Sequence, residues 1–173
     1  MRTALACVAA TLLAACNSDA ASRSAHAQPT PASTAVEANA TVERVVDGDT
    51  IVVDIDGHRE TVRLIGIDTP ETVKPNAPVE CFGPEASART KELLPPGTAV
   101  RLERDAEARD DYGRLLAYVT RASDGVFVNL QLVQDGDAEL LTFPTNTAHA
   151  DELLDAARAA ERDARGLWAA CTG

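Results

Sequence analysis

The sequence predicts one α+β domain, a small closed or partly open β-barrel of five strands with about three helices. Five short runs of β-branched and apolar residues are separated by turn signals. One helix-length segment lies among these runs and two follow the last of them. With 173 residues, of which 45% are hydrophobic, the chain is long enough to bury one sizeable core.

Three adjacent antiparallel strands are expected first. The segments VERVV (42–46) and TIVVDI (50–55) flank the turn Asp47-Gly48-Asp49. Asp56-Gly57 is a hairpin signal, and the third strand, RETVRLIGI (59–67), follows it.

A helix near residues 84–94 and two more strands come next. Pro84 suits the first position of the helix, and Pro95-Pro96 stops it. Residues 98–104 and 114–120 are the fourth and fifth strand candidates, joined by a charged segment.

Two helices are predicted at the end of the domain. Residues 129–135 form a short helix that Asn129 caps and Gly136 stops. Apolar residues then recur at helical spacing from Ala150 to Leu167, which indicates a longer amphipathic helix ending at Gly166.

The N-terminal segment is expected to direct export rather than to fold. Residues 1–16 carry one positive charge and a short apolar core that ends in small residues, which is typical of a signal peptide. Their ending, Leu13-Ala14-Ala15-Cys16, resembles a bacterial lipobox, so Cys16 is a candidate for lipidation; the alternative is ordinary cleavage near Ala15 or further on. Residues 17–40, rich in Ala, Ser, Thr and Pro, predict a disordered linker before a domain over 41–173. We expect a monomeric exported bacterial protein, either secreted or held at the cell envelope by an N-terminal lipid.

Export also bears on the cysteines. Cys7 leaves with the signal and Cys16 would carry the lipid, so Cys81 and Cys171 remain as an even pair in an oxidising compartment. A disulfide between them is predicted, and two buried thiols are the alternative.

Two aspartates at strand ends are candidate metal ligands. Asp49 opens the second strand and Asp68 closes the third, so both carboxylates can meet at one end of the barrel. Carboxylate oxygens suit Ca²⁺ or Mg²⁺ rather than zinc, which prefers His or Cys. Asp-Gly-Asp also occurs in many plain turns.

Two arginines are candidate phosphate-binding residues, because guanidinium groups bind phosphate oxygens in a bidentate manner. Arg63 lies five residues before Asp68, so strand alternation puts them on opposite faces unless the strand bends at Ile65-Gly66. Arg114 opens the fifth strand. Each arginine, taken singly, could instead be a surface charge paired with one of the many acids.

Six segments resemble the thermonuclease (staphylococcal nuclease) family, in the family's order and at near-family spacing over about residues 41–170. They are VDGDT (46–50), RLIGIDTPE (63–71), GPEASA (83–88), DYGRLLAY (111–118), Val128-Asn129 and Gly166-Leu167-Trp168. The resemblance implies an OB-fold barrel with three helices. It also implies Ca²⁺-dependent hydrolysis of DNA and RNA that leaves 3′-phosphates.

The resemblance further implies a metal centre and a base. Asp49 and Asp68 would bind Ca²⁺ through their carboxylates, and Thr69 would bind it through its backbone carbonyl. Glu71 matches the residue that activates the attacking water.

The same resemblance implies a substrate site. Arg63 and Arg114 match the phosphate-binding arginines, and Tyr112 matches a tyrosine near the terminal phosphate of a bound nucleotide. The competing hypotheses are a non-catalytic OB-fold module that binds nucleic acid or protein, and a Ca²⁺-binding structural domain.

The acidic balance of the chain is unusual for a protein that acts on a polyanion. The formal net charge is −11, whereas nucleic-acid binders usually carry basic patches. Three carboxylates and two arginines make the predicted site −1 when empty and +1 with Ca²⁺. We therefore expect chelation to abolish substrate binding as well as turnover.

Overall fold

The computed structural model describes residues 35–72, 78–142 and 144–171. Its strands are β1 (Ala40–Asp47), β2 (Thr50–Ile55), β3 (His58–Leu64), β4 (Gly66–Asp68), β5 (Ala99–Glu103), β6 (Leu115–Arg121) and β7 (Glu139–Leu141). Its helices are α1 (Gly83–Leu93), α2 (Val128–Asp135), α3 (Ala150–Arg162) and α4 (Leu167–Ala170). Five strands close into a barrel in the order β1-β2-β3-β6-β5, and β4 pairs with β7 in a separate small sheet. The predicted α+β fold, a five-stranded OB-fold barrel with about three helices, is confirmed, and α4 adds one short turn.

The barrel encloses the hydrophobic core. β5 alternates exposed and buried residues, so Val100 and Leu102 face inward. β3 and β6 run parallel, with Val62 beside Leu115. Parallel neighbours require a long connection, and the chain supplies one through α1 and β5.

The predicted strand 59–67 is two strands, because the chain turns at Gly66. Gly66 has φ +82°, a conformation that glycine adopts without strain. A Cβ there would lie 2.5 Å from a methyl carbon of Leu153, so a larger residue would also force this fully buried side chain of α3 to move. Beyond the turn, β4 leaves the barrel and pairs with β7, with Asp68 opposite Glu139.

Asn129 is not the cap of α2. Phe127 occupies the N-cap position, and the fully buried Asn129 bridges two other segments. Its Oδ1 accepts the Val119 N–H at 2.9 Å, and its Nδ2 donates to the Ile65 carbonyl at 2.8 Å. Gly136 does end α2, as predicted.

The predicted long C-terminal helix ends at Arg162 rather than at Gly166, and α4 follows a turn. Gly136 and Gly166 approach backbone to backbone, since a Cβ on Gly136 would lie 2.3 Å from the Arg165 carbonyl oxygen. The Leu167 N–H donates to the Gly136 carbonyl at 2.9 Å and docks α4 on the end of α2. A disulfide joins Cys81 to Cys171, the residue after α4, with an S–S distance of 2.05 Å.

The chain packs against the barrel before the predicted domain boundary. The Val36 N–H donates to the Ala122 carbonyl and the Asn39 N–H to the Val100 carbonyl, each at 3.0 Å. The predicted signal peptide, the predicted lipidation site Cys16 and most of the predicted linker lie outside the described residues. In the described part of the chain, none of the helices has the length and apolar character needed to span a bilayer.

Candidate active site

All seven predicted site residues line one open groove of about 630 Å³, beside the ends of β1 and β3 and the start of β2. The seven are Asp49, Arg63, Asp68, Thr69, Glu71, Tyr112 and Arg114. Residues separated by up to 65 positions in the sequence therefore meet in one place.

Arg63 is buried and makes four polar contacts. It lies opposite Thr50 in the β2–β3 register and is 7% exposed. Its Nη1 donates to the carbonyls of Leu64 and Ile67. Its Nη2 lies 2.7 Å from Asp68 Oδ1 and 3.1 Å from Asp49 Oδ2. The sequence predicted that Arg63 and Asp68 could meet only if the strand bent at Ile65-Gly66. The chain does turn at Gly66, and this turn brings the two side chains together.

Asp49 and Asp68 have different environments. Asp49 is buried, and its Oδ2 accepts the Thr69 backbone N–H at 3.1 Å and the Thr69 hydroxyl at 3.2 Å. The Asp68 side chain is 57% exposed. Partial desolvation nevertheless raises the pKa of Asp68; the Arg63 guanidinium opposes this shift, and the neighbouring Asp49 carboxylate adds to it.

The two aspartates fit a hard divalent cation. Asp49 Oδ2 and Asp68 Oδ1 contact the same nitrogen of Arg63, so they lie less than 6 Å apart. Two oxygens that bind one Ca²⁺ at about 2.3–2.6 Å each are at most about 5 Å apart, so binding would require the Arg63 nitrogen that contacts both carboxylates to move aside. Among the described residues, no group of three or more His, Cys, Asp or Glu side chains is placed to hold a metal ion. The remaining ligands would therefore be carbonyl oxygens, as Thr69 can supply, and water.

All three residues of Asp47-Gly48-Asp49 contact the segment 69–72 in this groove. Asp47, missed as a site residue from the sequence, accepts the Thr72 hydroxyl at 2.5 Å and the Gly48 N–H at 2.9 Å. Burial opposes ionisation of Asp47, but hydrogen bonds with the side chains of Glu71 and Thr72 and with backbone N–H groups outweigh it and lower the pKa. A Cβ on Gly48 would lie 2.5 Å from the Thr69 hydroxyl oxygen. The β1–β2 turn is thus fastened to the turn that carries Glu71.

Arg114 and Tyr112 lie together in the groove lining. The Arg114 Nε donates to Asp110 Oδ2 at 2.6 Å, and its guanidinium carbon lies 5.4 Å from the centroid of the Tyr112 ring. Tyr112 is 86% exposed, so its ring faces solvent at the groove. Asp110 was also missed, although it accepts the backbone N–H groups of Tyr112 and Arg114 in the manner of an Asx turn. An aspartate two residues before Tyr112 in Asp-Asp-Tyr-Gly-Arg could have suggested this role.

The groove is more acidic than the formal charge of −1 that the sequence predicted for its three carboxylates and two arginines. Among the described residues, eight carboxylates and two guanidinium groups line it, which is a formal charge of −6. The carboxylates are those of Asp47, Asp49, Asp68, Glu71, Glu80, Glu107, Asp110 and Asp111. One divalent cation therefore leaves the groove as a whole negative, and any attraction for phosphate must come from the cation and the arginines at short range.

Comparison with known proteins settles the family. A family model described as staphylococcal nuclease homologue matches residues 61–170. This chain belongs to that family. The match confirms the predicted resemblance and the predicted enzyme class, a nuclease that hydrolyses phosphodiester bonds.

Individual members of the staphylococcal nuclease homologue family cover most of this chain. The thermonuclease of Staphylococcus intermedius is 46% identical over 127 residues, which are 73% of this chain and 74% of the relative. The thermonuclease of Staphylococcus hyicus is 42% identical, with 73% of each chain covered. Endonuclease YncB of Bacillus subtilis (strain 168) is 42% identical over 75% of this chain and 61% of its own length.

Proposed function

We propose that this nuclease hydrolyses DNA, RNA or both with the help of a divalent cation, Ca²⁺ being the ion that the sequence resemblance implies, and leaves 3′-phosphate ends. The observation that carries the proposal is the convergence of Asp49 and Asp68 on Arg63 in the groove that Glu71 and Arg114 also line. A metal-ligand pair, a base and two phosphate-binding groups are the parts that phosphodiester hydrolysis needs.

The arginines are suited to stabilise charge on the phosphate. Arg63 is nine-tenths buried and held by two carbonyls and two carboxylates. With a cation bound by Asp49 and Asp68, the Arg63 Nη2 would be free to donate to a phosphate oxygen, while the two carbonyls keep Nη1 in place, and desolvation strengthens the interaction with the phosphate. The Arg114 side chain is 31% exposed and is oriented by Asp110, so it is accessible to a phosphate in the groove.

Glu71 is the candidate general base. It would take a proton from water as the water oxygen attacks phosphorus, and the bond from phosphorus to the 5′ oxygen would break. The departing oxygen leaves as a 5′-hydroxyl after protonation by solvent, and the phosphate stays on the 3′ side. A bound cation between Asp49 and Asp68 would supply Lewis-acid stabilisation of the phosphate oxygens.

The test is cleavage of a single-stranded oligonucleotide and of a plasmid, with Ca²⁺ and with a chelator. We expect cleavage in Ca²⁺ and 3′-phosphate products by mass spectrometry. Glu71→Gln should lower kcat about 10²- to 10⁴-fold, and Arg63→Ala should cost on the order of 10²-fold or more. Full activity in chelator, 5′-phosphate products or unchanged rates in both variants would contradict the proposal. Substrate binding without cleavage would favour a non-catalytic module.

We also propose that the protein is exported, is tethered through lipid on Cys16, and acts as a monomer. The signal-like residues 1–16 and the lipobox-like Leu13 to Cys16 support the first two parts. Mass spectrometry of the mature N-terminus distinguishes a diacylated Cys16 from a free terminus near Ala15, and light scattering gives the oligomeric state.

A further inference from the structure

Glu71 and Glu80, which both line the groove, are joined by two hydrogen bonds. The Glu80 backbone N–H donates to the Glu71 carbonyl at 2.9 Å. The Glu71 N–H in turn donates to the Glu80 side-chain Oε2 at 3.0 Å. This reciprocal pair fixes the backbone of Glu71 to the chain that leads into α1.

The start of α1 packs against the same turn. The Gly83 N–H donates to the Glu80 carbonyl at 3.1 Å. A Cβ on Gly83 would lie 2.8 Å from Thr72 Cγ2 and 3.1 Å from the carbonyl oxygens of both Pro70 and Glu71. The position of residues 80–83 therefore decides the position of the turn that carries the Glu71 carboxylate.

The disulfide holds these residues in place. Cys81 directly follows Glu80 and is bonded to Cys171. Cys171, the other half of the disulfide, is itself anchored. Its N–H donates to the carbonyl of Leu167, which is 6% exposed and whose own N–H donates to the Gly136 carbonyl. Phe82, between Cys81 and α1, has φ +67°, a left-handed conformation that a bulky side chain adopts only under restraint from its surroundings. Both cysteines are exposed, so a reductant can reach the bond.

We propose that Glu80 is a positioning residue for catalysis, and that the Cys81–Cys171 disulfide keeps it against Glu71 so that the oxidised protein is the more active form. The inference rests on the proposed role of Glu71 as base. Glu80 acts by accepting the Glu71 N–H and not by its negative charge. Breaking the disulfide frees residues 80–83 and lets the Glu71 carboxylate leave its productive position.

The kinetic test separates the hydrogen bond from the charge. Glu80→Ala removes the acceptor and should lower kcat about 10-fold with KM changed by less than about 2-fold, since small misplacements of a catalytic group are costly. Glu80→Gln keeps an oxygen acceptor and should recover most of the loss. Glu85→Ala, an exposed carboxylate on the first turn of α1, is the matched control and should leave kcat as it is.

The disulfide is tested in parallel, well below the melting temperature of each variant. Reduction of the native protein, or the double substitution Cys81→Ser and Cys171→Ser, should lower kcat about as much as Glu80→Ala. Adding Glu80→Ala to the double serine variant should cost little more, because coupled residues are not additive. Reductant should not affect the double serine variant.

A readout that does not depend on activity is hydrogen exchange at the Glu71 amide. It should be about 10-fold faster in Glu80→Ala and after reduction, which is the effect of losing one hydrogen bond, and slow again in Glu80→Gln. If the native protein cleaves no nucleic acid, the proposed function fails and the exchange rates alone decide the inference. Equal losses of kcat in Glu80→Gln and Glu80→Ala, unchanged kcat after reduction, or unchanged Glu71 exchange would overturn it.

Discussion

Asp137 is predicted to destabilise the folded protein at neutral pH. It follows Gly136 at the end of α2 and is 6% exposed. Burial raises its pKa to about 6, the Asp135 carboxylate adds to the shift, and Arg89 opposes it. A carboxyl group with a raised pKa in the folded state favours folding while it is protonated, and this contribution is lost as pH rises from about 4 to about 6.

The size of the destabilisation follows from the pKa shift of Asp137. A difference of about two pKa units between the folded and unfolded states corresponds to about 3 kcal/mol above pH 6. Asp137→Asn removes the charge but leaves a buried polar group, so we expect a gain of about 1–3 kcal/mol at pH 7. At about 2–4 °C per kcal/mol, Tm should rise by several degrees.

Urea unfolding followed by circular dichroism at pH 4, 5, 6 and 7 measures the effect. The gain in the free energy of unfolding from Asp137→Asn should be largest at pH 7 and nearly absent at pH 4. Asp155→Asn, an exposed aspartate within α3, is the matched control and should show a small difference at every pH. A loss of stability at pH 7, or an equal gain at pH 4 and pH 7, would refute the reasoning.

Three further substitutions test the architecture of the groove. Gly66→Ala should destabilise the protein by ~2 kcal/mol or more in urea unfolding, because of its positive φ and the close contact with a leucine of α3; a loss below ~0.5 kcal/mol contradicts this. Thr72→Val removes the hydroxyl that donates a hydrogen bond to Asp47, and it should lower kcat about 10-fold with little change in KM. Thr72→Ser keeps this hydroxyl and should behave like the native protein. Asp110→Ala frees the Arg114 guanidinium and should raise KM for a single-stranded oligonucleotide about 10-fold, the effect of losing one charge-assisted contact; an unchanged KM argues against a substrate role for Arg114.

Local signals predicted most of the elements. The hairpin turn at Asp56-Gly57 and the stops at Pro95-Pro96 and Gly136 act on neighbouring residues, so a pattern in the sequence can reveal them. The division of the predicted third strand into β3 and β4 was harder to predict from the sequence. The glycine that permits it was visible, but the β4–β7 pairing joins residues more than 70 positions apart.

The same distinction between local and long-range signals applies to the site residues. Its seven residues were located through motifs, whereas Asp47 and Glu80 act through partners 25 and 9 residues away and have no local signature. Asn129 shows the opposite error. Its residue type suggested a helix cap, but burial between Val119 and Ile65 gave it a different role.

Calorimetric titration with Ca²⁺ tests the central claim, that Asp49 and Asp68 together hold a divalent cation in the groove. The native protein should bind one ion, and Asp49→Asn and Asp68→Asn should each weaken its affinity about 10-fold or more. Glu107→Gln, which changes a carboxylate elsewhere in the groove lining, should keep the native affinity. Equal affinities in the native protein and the two aspartate variants would contradict the account.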